Sequence, residues 1–563
     1  MTLEGLQQLL KKYKYDAFLV THDNLFLGQD IRDDENKIYE LCGFSGSAGT
    51  LIVFQDHAVL LVDGRYEIQA TLEVKPGKTE VHVANLQKWL QEQNFTGKQI
   101  KFAYNPWCHA IQEIERLQNL FPQISFIPAP DSLTGSQQSS VEAAAFEHDI
   151  EFAGLGRDEK LAQTSRFLQA HKLEGYLFTA ADDVSWLLNL RSDALPHTPI
   201  LRAYALLYAD SRIEVFADNL DLLNLHPLKE LEKYLKPFRK GSLGLDKHKT
   251  PQQILNLLGD ENSFRSYPSP VAELKAVKNP VELAGMTNAH RRDGEALVNF
   301  LFWLENNYRR ISELDVVEKL HDFRSRQPLF YSESFATIAA SGPHGAIVHY
   351  QPDLATNRPL DNNSMLLLDS GAQYFDGTTD VTRTIALGQP SPAMIRDFTL
   401  VLKAHITLSS TLFPAGTSGA ALDAVTRRPL WQEGKNYNHG TGHGVGCFLN
   451  VHENPPSVSP RGYDELKPGM ITSVEPGCYI ENSYGIRIEN LAVVEKMPGD
   501  GLPLYGFRPL TLVPLDKRLI DKYLLSAEEL LWLNNYHQTV WEQLSSRLAP
   551  DEKAWLQQAC APL

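Results

Sequence analysis

Leu3, Leu6, Leu9 and Leu10 recur at helical spacing ahead of Lys11, Lys12 and Lys14, which predicts an amphipathic helix at the start of the chain. A strand-length apolar run follows at 15–21 (YDAFLVT), and two more, at 49–54 and 57–65, are joined by a short polar turn. The stretch from Pro130 to Asp149 lacks sustained periodicity and reads as a linker. Beyond it the same order returns: a helical run from Asp158 through Leu161, Phe167 and Leu168, an apolar run at 173–179, then strand, turn and strand at 204–218. This recurrence points to a diverged duplication of one α/β unit, although any α/β domain produces a similar order.

A third region starts near Ser269. Asn279 followed by Pro280 is a cap with proline at the first helical position. Leu283, Met286, His290, Leu297, Phe300, Leu301 and Leu304 then trace one face of a long helix. Ser526 and Glu529 stand in capping-box register before Leu530, Leu531 and Leu533, predicting a terminal helix. With 563 residues the chain exceeds one ordinary domain, and the pattern divides it at 1–155, 156–270 and 271–563.

Composition narrows the function. Hydrophobic residues make up 43% and charged residues 22%, enough for several folded cores. The net charge of −16 and the lack of any Lys/Arg-rich run argue against a nucleic-acid partner. No apolar stretch is long enough to span a membrane, and the N-terminal lysines follow the leucines, unlike those of a secretory leader. Five scattered cysteines without a C-x-x-C pair fit a reduced cytoplasm better than a disulfide framework or a cysteine metal site.

The chemistry is concentrated late in the chain. MLLLDSGAQYFDGTTDVTRT places Asp369 at the end of an apolar strand and Asp380 eleven positions on, across a turn containing Gly377. On antiparallel strands the two carboxylates can face one pocket, though Asp in DSG or DG is more often a turn former. NHGTGHGVG sets His439 and His443 among glycines that let backbone approach a ligand, and His452 follows in NVHE. A phosphate loop is the weaker alternative, since no strand directly precedes the motif and no G-K-[ST] is present. SVEPGCY ends an apolar strand at Glu475. In YGIRIENLAVVE, Ile486 and Ile488 alternate with Arg487 and Glu489, a pattern that a solvated edge strand would also give.

Asp369, Asp380, His443, Glu475 and Glu489 together make an oxygen-rich donor set suited to two divalent ions such as manganese, cobalt, iron or zinc. Two carboxylates about 4 Å apart repel by roughly 4 kcal/mol at an effective dielectric near 20, so four in one cluster require protons or cations. Two divalent cations cancel the four charges, and a hydroxide bridging them is the natural nucleophile.

These motifs resemble the pita-bread metallopeptidase family, which includes methionine aminopeptidase, prolidase, aminopeptidase P and the metal-free creatinase. The phrases GFSGSAGT (43–50), DGRYEIQA (63–70), WLLNLR (186–191), PLTLVP (509–514) and WLNNYH (532–537) extend the likeness along the chain, towards the family's three-domain aminopeptidase P branch. The resemblance implies an α/β fold in which two related creatinase-like domains precede a pita-bread catalytic domain. It implies two divalent metal ions, manganese first, with zinc or cobalt as alternatives. Asp369 and Asp380 would hold one ion, Asp380 and Glu489 would bridge, and His443 and Glu475 would complete the second. Glu475 would also shuttle the proton. His349 and His452 would line the substrate site and stabilise the oxyanion, with His439 close by, and Tyr479 and Arg487 would stand behind the ligands. Phe335 and Val348 would form an apolar wall for proline. The implied activity is release of the N-terminal residue from peptides with proline second, in the cytoplasm, by a homodimer. The alternatives are a prolidase restricted to dipeptides, creatinase-like chemistry, and a non-catalytic binding protein. Every ligand position is filled, which counts against the last.

Overall fold

In the computed structural model, which describes residues 1–563 except 29, 75–76, 94, 96–98, 135–142, 219, 222–223, 239–240, 260–263 and 500, the first helix spans Leu3–Tyr13. Thr2 caps it, and Leu3, Leu6 and Leu10 are buried. Two compact units make up the chain, one of Met1–His148 with Leu155–Ala272 and one of Asp149–Gly154 with Glu273–Leu563.

The first unit contains β1 (Ala17–Thr21), β2 (Thr50–Phe54), β3 (Ala58–Val62), β4 (Thr79–Val83), β5 (Ile100–Tyr104) and β6 (Ile124–Pro128) in a sheet of order β4-β3-β2-β1-β5-β6. Both faces are covered, which is why β1 reads as an unbroken apolar run. Phe18 and Val20 pack with Leu6 and Leu10, while Ala17 and Leu19 pack with Trp89 and Leu117 on the other face. Next come β7 (Ala143–Glu147), β8 (Gly175–Phe178), β9 (Leu190–Ser192), β10 (Tyr204–Tyr208), β11 (Ile213–Phe216), β12 (Leu220–Asp221), β13 (Leu225–His226), β14 (Leu243–Leu245) and β15 (Phe264–Ser266). Their main sheet runs β13-β11-β10-β8-β14-β15, repeating the first module's order with the same mixture of parallel and antiparallel neighbours.

The duplication extends to single hydrogen bonds. Leu19 pairs with Tyr104 and Leu177 with Leu245, so the strand-end Thr21 corresponds to Thr179. Thr21 donates to the Cys108 carbonyl at 3.0 Å, and Thr179 donates to the Lys249 carbonyl at 2.8 Å. The turns beyond β5 and β14 also bond reciprocally: Ile111 N–H donates to Thr250 at 3.0 Å and Gln252 N–H to His109 at 2.8 Å.

The linker reading of 130–149 needs correction. Residues 135–142 lie outside the described set, but Asp131–Thr134 is a short helix and β7 pairs with β9 and β12. The run Ala143–Ala145 carries no alternation because the strand is short and only Ala143 in it is fully buried.

In the second unit, helix Pro280–Asn307 begins at a capping box in which the Asn279 side chain accepts from Val281 and Glu282 N–H groups and Glu282 reaches back. Its buried face carries Met286, His290, Leu297, Phe300, Leu301 and Leu304, while Leu283 is half-buried. Strands β16 (Phe330–Glu333), β17 (Ile338–Ser341), β18 (Ser364–Ser370), β19 (Ala372–Tyr374), β20 (Gly377–Thr378) and β21 (Val381–Leu387) follow. Then come β22 (Phe413–Pro414), β23 (Gly442–Gly444), β24 (Glu453–Val458), β25 (Ile471–Val474), β26 (Gly477–Ile480), β27 (Tyr484–Arg487), β28 (Asn490–Lys496) and β29 (Leu504–Pro509). They form an antiparallel sheet, β22-β29-β28-β25-β23-β24, and a three-stranded one, β17-β18-β21. Helices Pro392–Ser410, Gly419–Trp431 and Ala527–Leu544 pack around them.

Two further expectations change. Helix Ala527–Leu544 has the predicted capping box but is not the last, since Pro550–Ala559 follows. YGIRIENLAVVE is two strands, β27 and β28, broken at Ile488 and Glu489. Among the described residues no helix is long and apolar enough to cross a membrane, and all five cysteines are free.

Replacing Asn279 by alanine strips acceptors from two N–H groups of the long helix, and should cost about 1 kcal/mol of unfolding free energy by denaturant titration.

Candidate metal centre

β18 and β21 pair in register from Ser364 opposite Leu387 to Ser370 opposite Val381, which sets Asp369 across from Thr382 and leaves Asp380 at the entry to β21. The intervening residues fold back as the β19–β20 hairpin. Glu489 enters from the break between β27 and β28, where its N–H donates to the Thr382 carbonyl at 3.1 Å. Glu475 follows β25, and its N–H donates to the Thr441 carbonyl at 2.8 Å. His443 is the middle residue of β23.

The glycines around His443 serve a purpose different from the expected one. A Cβ on Gly442 would lie 2.0 Å from the Ser473 carbonyl oxygen, and one on Gly444 would lie 2.5 Å from that of Glu453. Glycine is therefore required so that β23 can lie against its neighbouring strands, not to admit a ligand.

One ligand atom each of Asp380, His443 and Glu489 falls within 4.8 Å of the others. His443 Nε2 is 3.6 Å from Asp380 Oδ2 and 3.4 Å from Glu475 Oε1. Its Nδ1–H donates to the Gly444 carbonyl at 2.9 Å, so Nε2 presents a lone pair to those carboxylates. Burial lowers the pKa of this imidazole, against the raising effect of Glu489 and Asp369. Lone pair and carboxylates facing one another call for a cation between them.

Asp369 completes the set. Arg487 donates to its Oδ2, whereas Oδ1 is buried without a hydrogen-bond partner. Thr382 Oγ1 donates to Glu489 Oε2 at 2.7 Å, and Ser473 Oγ donates to Glu475 Oε1 at 3.0 Å. Burial, followed by the charges of Glu489, Asp369 and Glu475, holds Asp380 well above the usual carboxylate range. Burial, with Glu475 and Asp369, pushes Glu489 up to about 8. Arg487 and Glu489 are each only 2% exposed, so a solvated edge is excluded. The orphaned oxygen, the lone-pair geometry and the raised carboxylates all fit divalent cations.

Around this cluster, Arg487 Nη1–H donates to Tyr479 OH at 2.7 Å and Nη2–H to the Val348 carbonyl at 3.3 Å. Tyr479 OH donates to His439 Nε2 at 2.8 Å, because His439 Nδ1–H is committed to the Gly440 carbonyl. The exposed His452 ring stands edge-on to His443, centroids 4.3 Å apart. His349 is half-buried between buried Val348 and Tyr350. Phe335, half-buried in the bend between β16 and β17, takes no part in this network.

Sequence reasoning missed several supports. Buried Glu313 accepts from Ser341 N–H at 2.7 Å, His344 Nδ1–H at 2.9 Å and Tyr350 OH at 2.8 Å, clamping both flanks of the Val348–His349 segment. Lys278 is paired with Glu453, the neighbour of His452. Only Thr382 left a trace in the sequence, as the strand position two beyond Asp380.

With fold and site in view, the family is clear. Residues 284–496 match the model of metallopeptidase family M24, 503–563 that of the C-terminal region of peptidase_M24, and 3–134 and 136–282 two creatinase/prolidase N-terminal domain models. The chain belongs to metallopeptidase family M24, with two creatinase-type domains ahead of the catalytic one. It is 35% identical over 613 residues to a probable Xaa-Pro aminopeptidase P of Neosartorya fischeri, covering all of this chain and 92% of the relative. A probable Xaa-Pro aminopeptidase P of Sordaria macrospora is 34% identical, with 98% of its length covered. The crystal structure of an X-prolyl aminopeptidase from Caenorhabditis elegans, described as a cytosolic enzyme with a di-nuclear active site, superposes with a TM-score of 0.91 at 33% identity, over 98% of this chain and 95% of that one.

The raised carboxylates set the pH response of the metal-free protein. Glu489 has a folded pKa above its ordinary value of 4.5, so its favourable contribution is complete below that value and disappears as pH rises towards about 8. Asp380 shifts in the same direction. The melting temperature of metal-stripped protein should fall across this window, and added Mn2+ should raise it more at about pH 8 than at about pH 6. A flat metal-free profile would contradict the clustering.

Proposed function

We propose that this chain is a metal-dependent Xaa-Pro aminopeptidase, which removes the first residue from peptides whose second residue is proline. The reading is supported by one observation: ligand atoms of Asp380, His443 and Glu489 lie within 4.8 Å of one another, Glu475 stands 3.4 Å from His443, and the charge of Asp369 acts on both Asp380 and Glu489. Full-length kinship to proteins of that name supports it.

Asp369 and Asp380 would hold one divalent ion, Asp380 and Glu489 would be shared between two, and His443 and Glu475 would complete the second. Carboxylate-rich donors suit Mn2+, with Zn2+ or Co2+ as alternatives. When bound, the two cations neutralise the carboxylates, activate water and polarise the scissile carbonyl.

The substrate explains the remaining residues. An Xaa-Pro bond is a tertiary amide without an N–H, so a protease that grips that hydrogen has no hold on it. Glu475, steadied by Ser473, takes a proton from the attacking water and passes it to the proline nitrogen, which leaves only when protonated. His452 and His349 face the peptide and stabilise the developing oxyanion, with His439 alongside. Val348 and Phe335 offer apolar surface to the proline ring. Arg487 and Tyr479 hold Asp369, the Val348 carbonyl and His439 in one hydrogen-bonded chain.

The domain limits 1–155, 156–270 and 271–563 belong to this proposal. So does a cytoplasmic setting, for which the C. elegans relative described as cytosolic is the support. A homodimer is added on family resemblance alone.

Activity should disappear with chelator and return with Mn2+, and Xaa-Pro-Yaa tripeptides should be cleaved as well as Xaa-Pro dipeptides; turnover confined to dipeptides would make the chain a prolidase. Glu475→Gln should lower kcat on the order of a hundredfold or more with the fold intact by circular dichroism. His452→Ala should lower kcat on the order of a hundredfold while metal content stays near wild type, and an emptied site would instead mark His452 as a ligand.

A further inference from the structure

β25 and β28 run antiparallel, and their registered pairing ends at Val474 opposite Asn490. The next residue outward on each strand is a candidate ligand, Glu475 on one and Glu489 on the other. The separation of these two carboxylates is therefore set at the fork where the strands part.

Buried side chains hold the fork. Arg383, on β21, donates from Nη1 to the Glu489 carbonyl at 2.6 Å and to the Thr382 carbonyl at 2.9 Å. It thus ties the backbone of one ligand to that of the threonine that bonds the ligand's carboxylate. His405, in helix Pro392–Ser410, donates from Nδ1 to the Val474 carbonyl at 3.0 Å. A carbonyl only accepts, so Nδ1 carries the proton and Nε2 the lone pair, which receives Asn490 Nδ2–H at 3.3 Å. Oδ1 of the same amide accepts from Arg383 Nη2–H at 2.8 Å. An unbroken hydrogen-bonded path therefore runs from the Glu489 carbonyl through Arg383, Asn490 and His405 to the Val474 carbonyl.

PLTLVP and WLNNYH supply no candidate ligand, yet they brace this path. Arg383 Nη2–H donates to the Val513 carbonyl at 2.7 Å and to Tyr536 OH at 2.9 Å, and its Nε–H donates to the Pro514 carbonyl at 3.2 Å. Tyr536 OH donates in turn to the Val513 carbonyl at 2.8 Å, and His537 Nε2 accepts from Leu515 N–H at 3.1 Å.

Arg383 is only 4% exposed, and among the described residues it makes no hydrogen bond or ion pair to a carboxylate. Burying a guanidinium against neutral acceptors alone is costly, and an apolar side chain would fill the strand position without that cost. What arginine supplies is a rigid fork of donors that fixes several carbonyls at once. We propose that Arg383, Asn490 and His405, braced by Tyr536, are positioning residues: they hold Glu475 and Glu489 at the separation the second divalent ion needs, and so set the metal affinity of the site. This inference rests on the reading of Glu475 and Glu489 as metal ligands.

The test is isothermal titration of the metal-stripped, full-length protein with MnCl2. Wild type should take up two Mn2+ ions per chain. Tyr536→Phe and His405→Leu each remove a link without altering a candidate ligand, and each should weaken binding of one Mn2+ ion about tenfold or more. His405→Asn, which keeps a donor for the Val474 carbonyl, should recover part of that loss. Tyr176→Phe deletes another buried hydroxyl, one that donates to the Tyr267 carbonyl at 2.9 Å in the first unit, and should lower the melting temperature with Mn2+ affinity unchanged. Should His405→Leu fail to fold, Tyr536→Phe, which differs from wild type by one oxygen atom, carries the comparison. The proposal falls if Tyr536→Phe binds Mn2+ as wild type does, or if Tyr176→Phe weakens Mn2+ binding as much. A wild-type protein that takes up no Mn2+ would overturn the metal-ligand reading itself, and the positioning role with it.

Discussion

Four carboxylates held near one another, three of them buried, are the constraint on which the catalytic unit is built. Their mutual repulsion would push the strands apart or protonate the acids, unless positive charge is supplied. The fold opposes this with backbone pairing: β18 and β21 zip together over seven registered pairs, and Glu489 is tied to Thr382 by both its N–H and its carboxylate. Arg487 supplies part of the compensation through Asp369. What remains uncompensated is an acidic cavity with an imidazole lone pair aimed into it, which is a demand for cations.

The residues on the metal side and those on the substrate side are not separate layers. Arg487 touches Asp369, Thr382, Tyr479 and the Val348 carbonyl, and Tyr479 continues the chain to His439. The candidate ligands and the Val348–His349 segment thus share one hydrogen-bonded network, and the flanks of that segment are fixed independently by Glu313. Such satisfied buried networks confer rigidity, because each broken bond leaves a desolvated polar group behind.

The duplicated modules of the first unit show which parts of a fold are constrained. The strand order, the threonine-to-carbonyl bond and the reciprocal turn contacts are kept in both copies, since they close the backbone's own donors and acceptors. Side chains around the same turn differ between the copies, and only one of them holds Asp23 and a His109 paired with Glu113 there.

Local patterns were enough to locate the chemistry. The caps at Asn279 and Ser526, the apolar runs that became β1, β2, β3, β8, β10 and β11, and the clustered Asp380, His443 and Glu489 were legible, because helix capping, strand alternation and ligand motifs are encoded by neighbours in the chain. The repeat was visible as an order of elements. Long-range packing was not. Nothing local shows that Gly442 and Gly444 are demanded by the Ser473 and Glu453 carbonyls, that Arg487 is spent on Asp369, or that Glu313 grips the segment around His349. The break at Ile488 and Glu489 and the pairing of β7 were equally hidden. Such features depend on which elements meet in space, whether tens of residues apart or, for Arg487 and Asp369, more than a hundred, and that is set by the free energy of the assembled core, which no window of sequence contains.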